Sequence, residues 1–158
     1  MANGSLNYTV KGICIGMKVT WNYTPPTNGG DTFTSIKKGS KATLKIVQDE
    51  KNGFVKELYI QKEPDIDNRT FEAQLQKTVE QLQITYPFLS VKNKKNGTYL
   101  IDIPQEKRLG HEEHFSKVAK AFLHYVHNQD MPEWENENTL AKYYITTTAV
   151  EMAKKGNK

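Results

Sequence analysis

The chain has 158 residues, 37% hydrophobic and 25% charged, the proportions of a water-soluble globular protein with room for a modest core. No apolar run reaches the length of a membrane span. The lone Cys14 excludes an internal disulfide and reads by default as a small buried hydrophobe. The net charge is +4, but the lysines are scattered singly or in pairs among acids, so no nucleic-acid partner is expected.

The opening stretch "MANGSLNYTV" has neither a basic start nor an apolar core, so no signal peptide is expected. The compartment stays open between cytoplasm and periplasm. The first 62 residues read as strands. "NYTVKGICI" and "MKVTWNYT" are rich in β-branched and aromatic residues. In the second, Val19, Trp21 and Tyr23 alternate with polar neighbours, the period-two signature of a half-buried strand. "PPTNGG" is a dense turn signal. Three further strands follow, "DTFTSIKKG", "SKATLKIVQ" and "FVKELYIQK", with turns at Gly39-Ser40 and "EKNG". Connections this short join antiparallel neighbours in a meander.

The pattern then becomes helical. Phe71, Leu75, Val79 and Leu82 recur at helical spacing, and Pro87 lies just past the end. "FLSVKN" and "TYLIDIP" read as a hairpin turned at "KKNG". Phe115, Val118, Ala119, Phe122, Leu123 and Val126 mark a second helix, and Asn138 to Lys154 a third. The expected fold is α+β, one domain over residues 1–158. It is a mostly antiparallel open sheet with helices packed on one face and the other face free for oligomerisation.

The stretch "RLGHEEHF" concentrates the chain's candidate chemistry. A zinc hydrolase needs His-Glu-x-x-His and a third ligand, whereas His111 and His114 are three apart and His124 and His127 lie further along the same helix. His124 is rotated about 280° from His114, so the two cannot converge on one ion, and no metal is expected. Glu112 and Glu113 fall in the helix's first turn, where negative charge complements the dipole. His111 and His114 each sit one turn before a residue of the apolar stripe. They can pack as structural residues or point into a cleft. Elsewhere there is no glycine-rich nucleotide loop and no nucleophile elbow. Trp21 and Tyr23 read as core or interface.

Two segments, "GDTFTSIKKGSKATLKI" and "RLGHEEHFSKVAKAFLHYVHNQDMPEWENENTLAKYYITTTAVEMAKKG", resemble the C-terminal domain of the glucose-fructose oxidoreductase and inositol dehydrogenase family, in a bacterial subfamily with its own such domain. The resemblance covers nearly the whole chain. Its most specific part is the last segment: a His-Phe helix, a loop ending in Pro132 and Trp134, and an Ala-rich final helix. The resemblance implies a two-domain enzyme whose Rossmann half binds NAD or NADP and carries a catalytic lysine in a Glu-Lys-Pro motif. Lys62 in "KEP" has the wrong order and place for that lysine, so no catalytic residue and no cofactor is assigned to this chain. Relatives often have histidine where this chain has Phe33.

What the resemblance implies for the C-terminal domain is the wall of the substrate cleft and an oligomer interface through the open sheet face. Arg108, His111, His114 and Asp31 would then meet a hydroxylated, sugar-like substrate, and Val19, Trp21 and Tyr23 would lie in the interface. Histidine, whose ordinary pKa lies nearest neutrality, could also relay the proton of an oxidised hydroxyl. The implied partners are the Rossmann half of the same protein and further copies of the chain. Two functions compete: the substrate-binding and oligomerisation half of a nicotinamide-dependent oxidoreductase acting on a sugar or cyclitol, or a non-enzymatic carbohydrate-binding or dimerisation module.

Overall fold

The computed structural model describes residues 3–25, 27 and 29–156. The chain divides into two units, Met1–Thr24 with Gly110–Lys158, and Pro25–Leu109. The first unit opens with a hairpin in which β1 (Gly4–Val10) pairs antiparallel with β2 (Ile13–Val19). Lys11 and Gly12, at φ 50° and 80°, make its two-residue turn. Two successive left-handed residues are what matches the twist of flanking strands.

Four expectations are corrected here. The turn falls inside "NYTVKGICI", which the sequence reads as one strand, because a lysine in the left-handed region leaves little local signal. β2 ends at Val19, so Trp21 and Tyr23 lie beyond the strand. There Asn3 turns the chain: its Oδ1 accepts from the Trp21 amide at 2.7 Å, and its Nδ2 donates to Asn22 Oδ1. Finally, the hairpin is a separate two-stranded sheet and not the start of one larger meander. Cys14 on β2 is exposed, against the default expectation of burial.

The second unit holds β3 (Phe33–Lys38), β4 (Ala42–Gln48), β5 (Glu57–Lys62), α1 (Asn68–Gln83), β6 (Ser90–Asn93) and β7 (Thr98–Asp102). Its strands form an open antiparallel sheet in the order β3-β4-β5-β7-β6. The register sets Leu58 opposite Ile101 and Ile60 opposite Tyr99. These residues form one apolar face, against which α1 lays Leu75 and the buried Val79, with Leu89 alongside. Asp67 starts α1 by accepting from the Thr70 amide at 2.8 Å, which satisfies one of the helix's orphan donors. Leu82, expected on the buried stripe, is 44% exposed, because it belongs to the last turn and passes the edge of the core.

Alternation sends Glu57, Tyr59 and Gln61 of β5, and Leu100 and Asp102 of β7, to the face that α1 does not cover. Tight turns at Gly53 and at Lys95-Asn96-Gly97, all with positive φ, close the β4–β5 and β6–β7 connections. Lys62 is buried, and its Nζ donates to the carbonyls of Glu63, Pro64 and Ile66. The amine thus replaces the water that these loop carbonyls would otherwise need.

The first unit ends with α2 (His111–Asn128) and α3 (Glu133–Gly156). α3 begins at Glu133 where the sequence suggests Asn138, so Trp134 falls in its first turn. At the start of α2, Glu113 Oε2 accepts from the Gly110 amide at 2.9 Å, one arm of a capping box. No described residue of α2 or α3 is buried.

Candidate functional site

α2 places both candidate histidines in its first turn. His111 Nδ1 lies 3.5 Å from Glu112 Oε2, with the two side chains 87% and 94% exposed. His114 is exposed as well, and its amide donates to the Gly110 carbonyl. At 100° per residue, His111 lies within about 40° of Phe115, on the line of the apolar stripe, while His114 flanks it. Neither imidazole is used in packing within its unit.

Arg108 belongs to the other unit, and its guanidinium is partly committed. Nε donates to the Ile103 carbonyl at 3.0 Å and Nη1 to the Lys56 carbonyl at 2.9 Å. These bonds tie the chain leaving β7 to the segment entering β5. Nη2 has no partner among the described residues, so the fork keeps donors in a fixed orientation. Asp31 is exposed in the segment before β3. The structure therefore brings His111 and His114 onto one helical turn and leaves Arg108 and Asp31 on the sheet unit. Phe33 is exposed, with Lys56 Nζ 5.0 Å from its ring centre.

On the sheet face opposite α1, sequence reasoning misses a hollow of about 380 Å³ lined by Asp49, Lys51, Glu57, Tyr59 and Lys94 among others. Tyr59 Oη donates to Glu57 Oε2 at 2.5 Å. That bond, with burial and the charges of Glu57 and Asp49, pushes the phenol pKa up to about 12. The Tyr59 hydroxyl hydrogen is thereby held by Glu57. Asp49 is occupied too, accepting from the Lys51 amide at 2.9 Å. The alternation of Glu57, Tyr59 and Gln61 was the available signal, though nothing local shows that Asp49 and Lys94 join them.

The residues expected at an interface are open to solvent: Val19 is 43%, Trp21 75% and Tyr23 40% exposed. No group of three or more His, Cys, Asp or Glu side chains is placed to hold a metal ion among the described residues. Nor is any described helix long and apolar enough to cross a membrane.

The described helix starts do not suit the pyrophosphate of a dinucleotide. A pyrophosphate needs free amides at a glycine-rich helix start. Here Asp67 caps α1, Glu112 and Glu113 occupy the first turn of α2, and Glu133 and Glu135 that of α3. Each carboxylate would repel the phosphates.

Residues 1–154 match the family described as "Putative oxidoreductase C terminal domain". The chain is also similar to a solved structure described as a putative oxidoreductase from Parabacteroides merdae. The two share 39% identity with a TM-score of 0.93 over 98% of this chain. The match spans only 35% of that protein's length. None of the curated proteins matches the chain.

Proposed function

The chain belongs to the oxidoreductase C-terminal domain family, and from that membership we propose that it is the substrate-facing and oligomerisation part of a nicotinamide-dependent oxidoreductase acting on a sugar or cyclitol. The observation that carries the proposal is the near-complete alignment of this chain with about a third of an oxidoreductase. The remaining length of such a protein has room for a Rossmann half, the part that the resemblance to the glucose-fructose oxidoreductase and inositol dehydrogenase family implies. When bound there, NAD or NADP accepts or gives the hydride. This chain contributes polar groups that hold the substrate.

Three features support those roles. His111 and His114 stand exposed on one turn with no packing duty, free to hydrogen-bond hydroxyl groups or take up the proton that a secondary alcohol loses on oxidation. Arg108 is anchored through two backbone carbonyls, which fixes its remaining donors for a hydroxyl-rich ligand. Trp21 and its neighbours offer apolar surface for a second copy.

The test uses the intact gene product. Nicotinamide reduction is followed with a panel of sugars and cyclitols, for the wild type and for His111→Ala and His114→Ala. Turnover that falls with either substitution is the expected result. An intact protein that binds sugar but no nicotinamide cofactor would overturn the proposal in favour of a carbohydrate-binding module.

A further inference from the structure

The hollow on the sheet face opposite α1 gathers charges of both signs that are not paired with one another. Asp49 and Glu57 bring negative charge, Lys51 and Lys94 positive charge, and none of the four forms an ion pair among the described residues. The two acids are half-buried, whereas both lysines are exposed. The charges that raise the Tyr59 pKa are those of Glu57 and Asp49, so the two carboxylates share one end of the hollow. Among the described residues, Asp49 is bonded only by backbone amides of its own turn, and Glu57 only by the Tyr59 phenol. Neither carboxylate meets a full positive charge, although partial burial makes an uncompensated anion costly. Asn52 fixes the floor beneath them. Its Oδ1 accepts from the Asp49 amide at 2.8 Å, and its Nδ2 donates to the Val47 carbonyl at 2.9 Å. A rim held this way needs little ordering when a ligand arrives.

We propose that this hollow is a binding site for a small zwitterion, a compound that carries a primary ammonium group and a carboxylate a few bonds apart. The ammonium lies between Glu57 and Asp49 and supplies the charge they lack. The carboxylate faces Lys51 and Lys94 at the open side. Simpler ligands satisfy less of the site. A metal ion finds no third carboxylate or imidazole among the described residues. An anion pairs with the lysines but is repelled by the acids, and a diamine meets the reverse conflict. The volume of about 380 Å³ falls at the lower end of the range of small-molecule sites. One side of the hollow is open and its ion pairs are partly solvated, so the expected Kd is about millimolar. The hollow lies wholly within the unit Pro25–Leu109. It shares no residue with the set Arg108, His111, His114 and Asp31, so this proposal does not depend on the oxidoreductase reading.

The test is an NMR titration of the intact protein, labelled on its tyrosine rings, with γ-aminobutyrate and with L-alanine. The Tyr59 signal is the one that Tyr59→Phe removes. Butyrate and butylamine, each with one of the two charges, are the controls. At least one zwitterion should shift the Tyr59 signal to saturation, at a concentration about tenfold below that needed by either control. Glu57→Gln and Lys94→Met should each weaken that zwitterion by about tenfold, the loss of one charged partner. Unchanged signals from the buried Tyr99 show that the sheet unit of each variant stays folded. Butylamine bound as tightly as the zwitterion would reduce the hollow to a cation site and overturn the proposal. Butyrate bound as tightly would do the same by making it an anion site. The absence of a saturable shift with both zwitterions would also overturn it, as would full affinity retained by folded Lys94→Met.

Discussion

Tyr59 ties the alkaline stability of the sheet unit to one contact. Its pKa rises from an ordinary value of 10.0 to about 12 in the folded chain, first through the hydrogen bond to Glu57. The folded state therefore holds this proton after the unfolded chain has released it. The stabilisation is complete below pH 10 and is lost as pH rises toward 12. Tyr99 is shifted the same way, by burial first and then by Glu72. Denaturant midpoints measured across that window should fall less steeply for Tyr59→Phe than for the wild type; identical slopes would refute the assignment. The histidines give a contrasting expectation. Being exposed, His111→Ala and His114→Ala should each change stability by less than about 0.5 kcal/mol, with or without a chelator. For the oxidoreductase proposed above, kcat/KM of the intact protein should drop by roughly ten- to ten-thousand-fold for whichever one meets substrate. A loss of thermal stability above that margin would instead mark a packing role. The pairing of these two histidines on one turn is legible in the sequence. The Tyr59 hollow is not, because Asp49 and Lys94 reach it from other strand ends.

Among the elements, β5, β7 and α1 carry the only described core, centred on Val79, Leu89 and Ile101. Ile101→Ala should cost about 2–5 kcal/mol through lost burial and the cavity left behind, read as a shift in the denaturant midpoint. The β6–β7 turn makes a second prediction. Gly97 has φ +70°, and a Cβ added there would lie 3.4 Å from Lys62 Cβ. Gly97→Ala should cost roughly 1–2 kcal/mol for the left-handed backbone alone, and Asn at the same place less. "KKNG" announces that turn because glycine and asparagine favour positive φ. "VKGI" hides the corresponding turn of the first hairpin, where lysine takes the left-handed place. The helices of the chain were legible from their spacing, but α3 starts earlier than its apolar residues suggest. Its first turn is marked by Glu133 and Glu135, polar residues that leave no periodic signal.

For the whole molecule, the exposed side chains of Val19, Trp21 and Tyr23 predict self-association. Light scattering on the intact protein should show an oligomer that Trp21→Asp dissociates. A wild type that stays monomeric at high concentration would contradict the interface. Calorimetry on the 158-residue chain alone should detect no NAD or NADP binding, since its helix starts are acidic. Micromolar affinity would disprove the domain assignment.

Most of what the sequence by itself determined is local: element type, the β6–β7 turn, the α1 core stripe and the acidic start of α2. Those features follow from interactions within a few residues, where spacing and backbone preference act directly. Only the tertiary structure decided that the first hairpin is a separate sheet, that Trp21 lies outside its strand, and that Arg108 is tied to Ile103 and Lys56. It also decided that the stripe of α2 finds no cover in its own unit. Periodicity announces that a face is apolar, but whether that face is buried depends on segments far away in the chain or outside it.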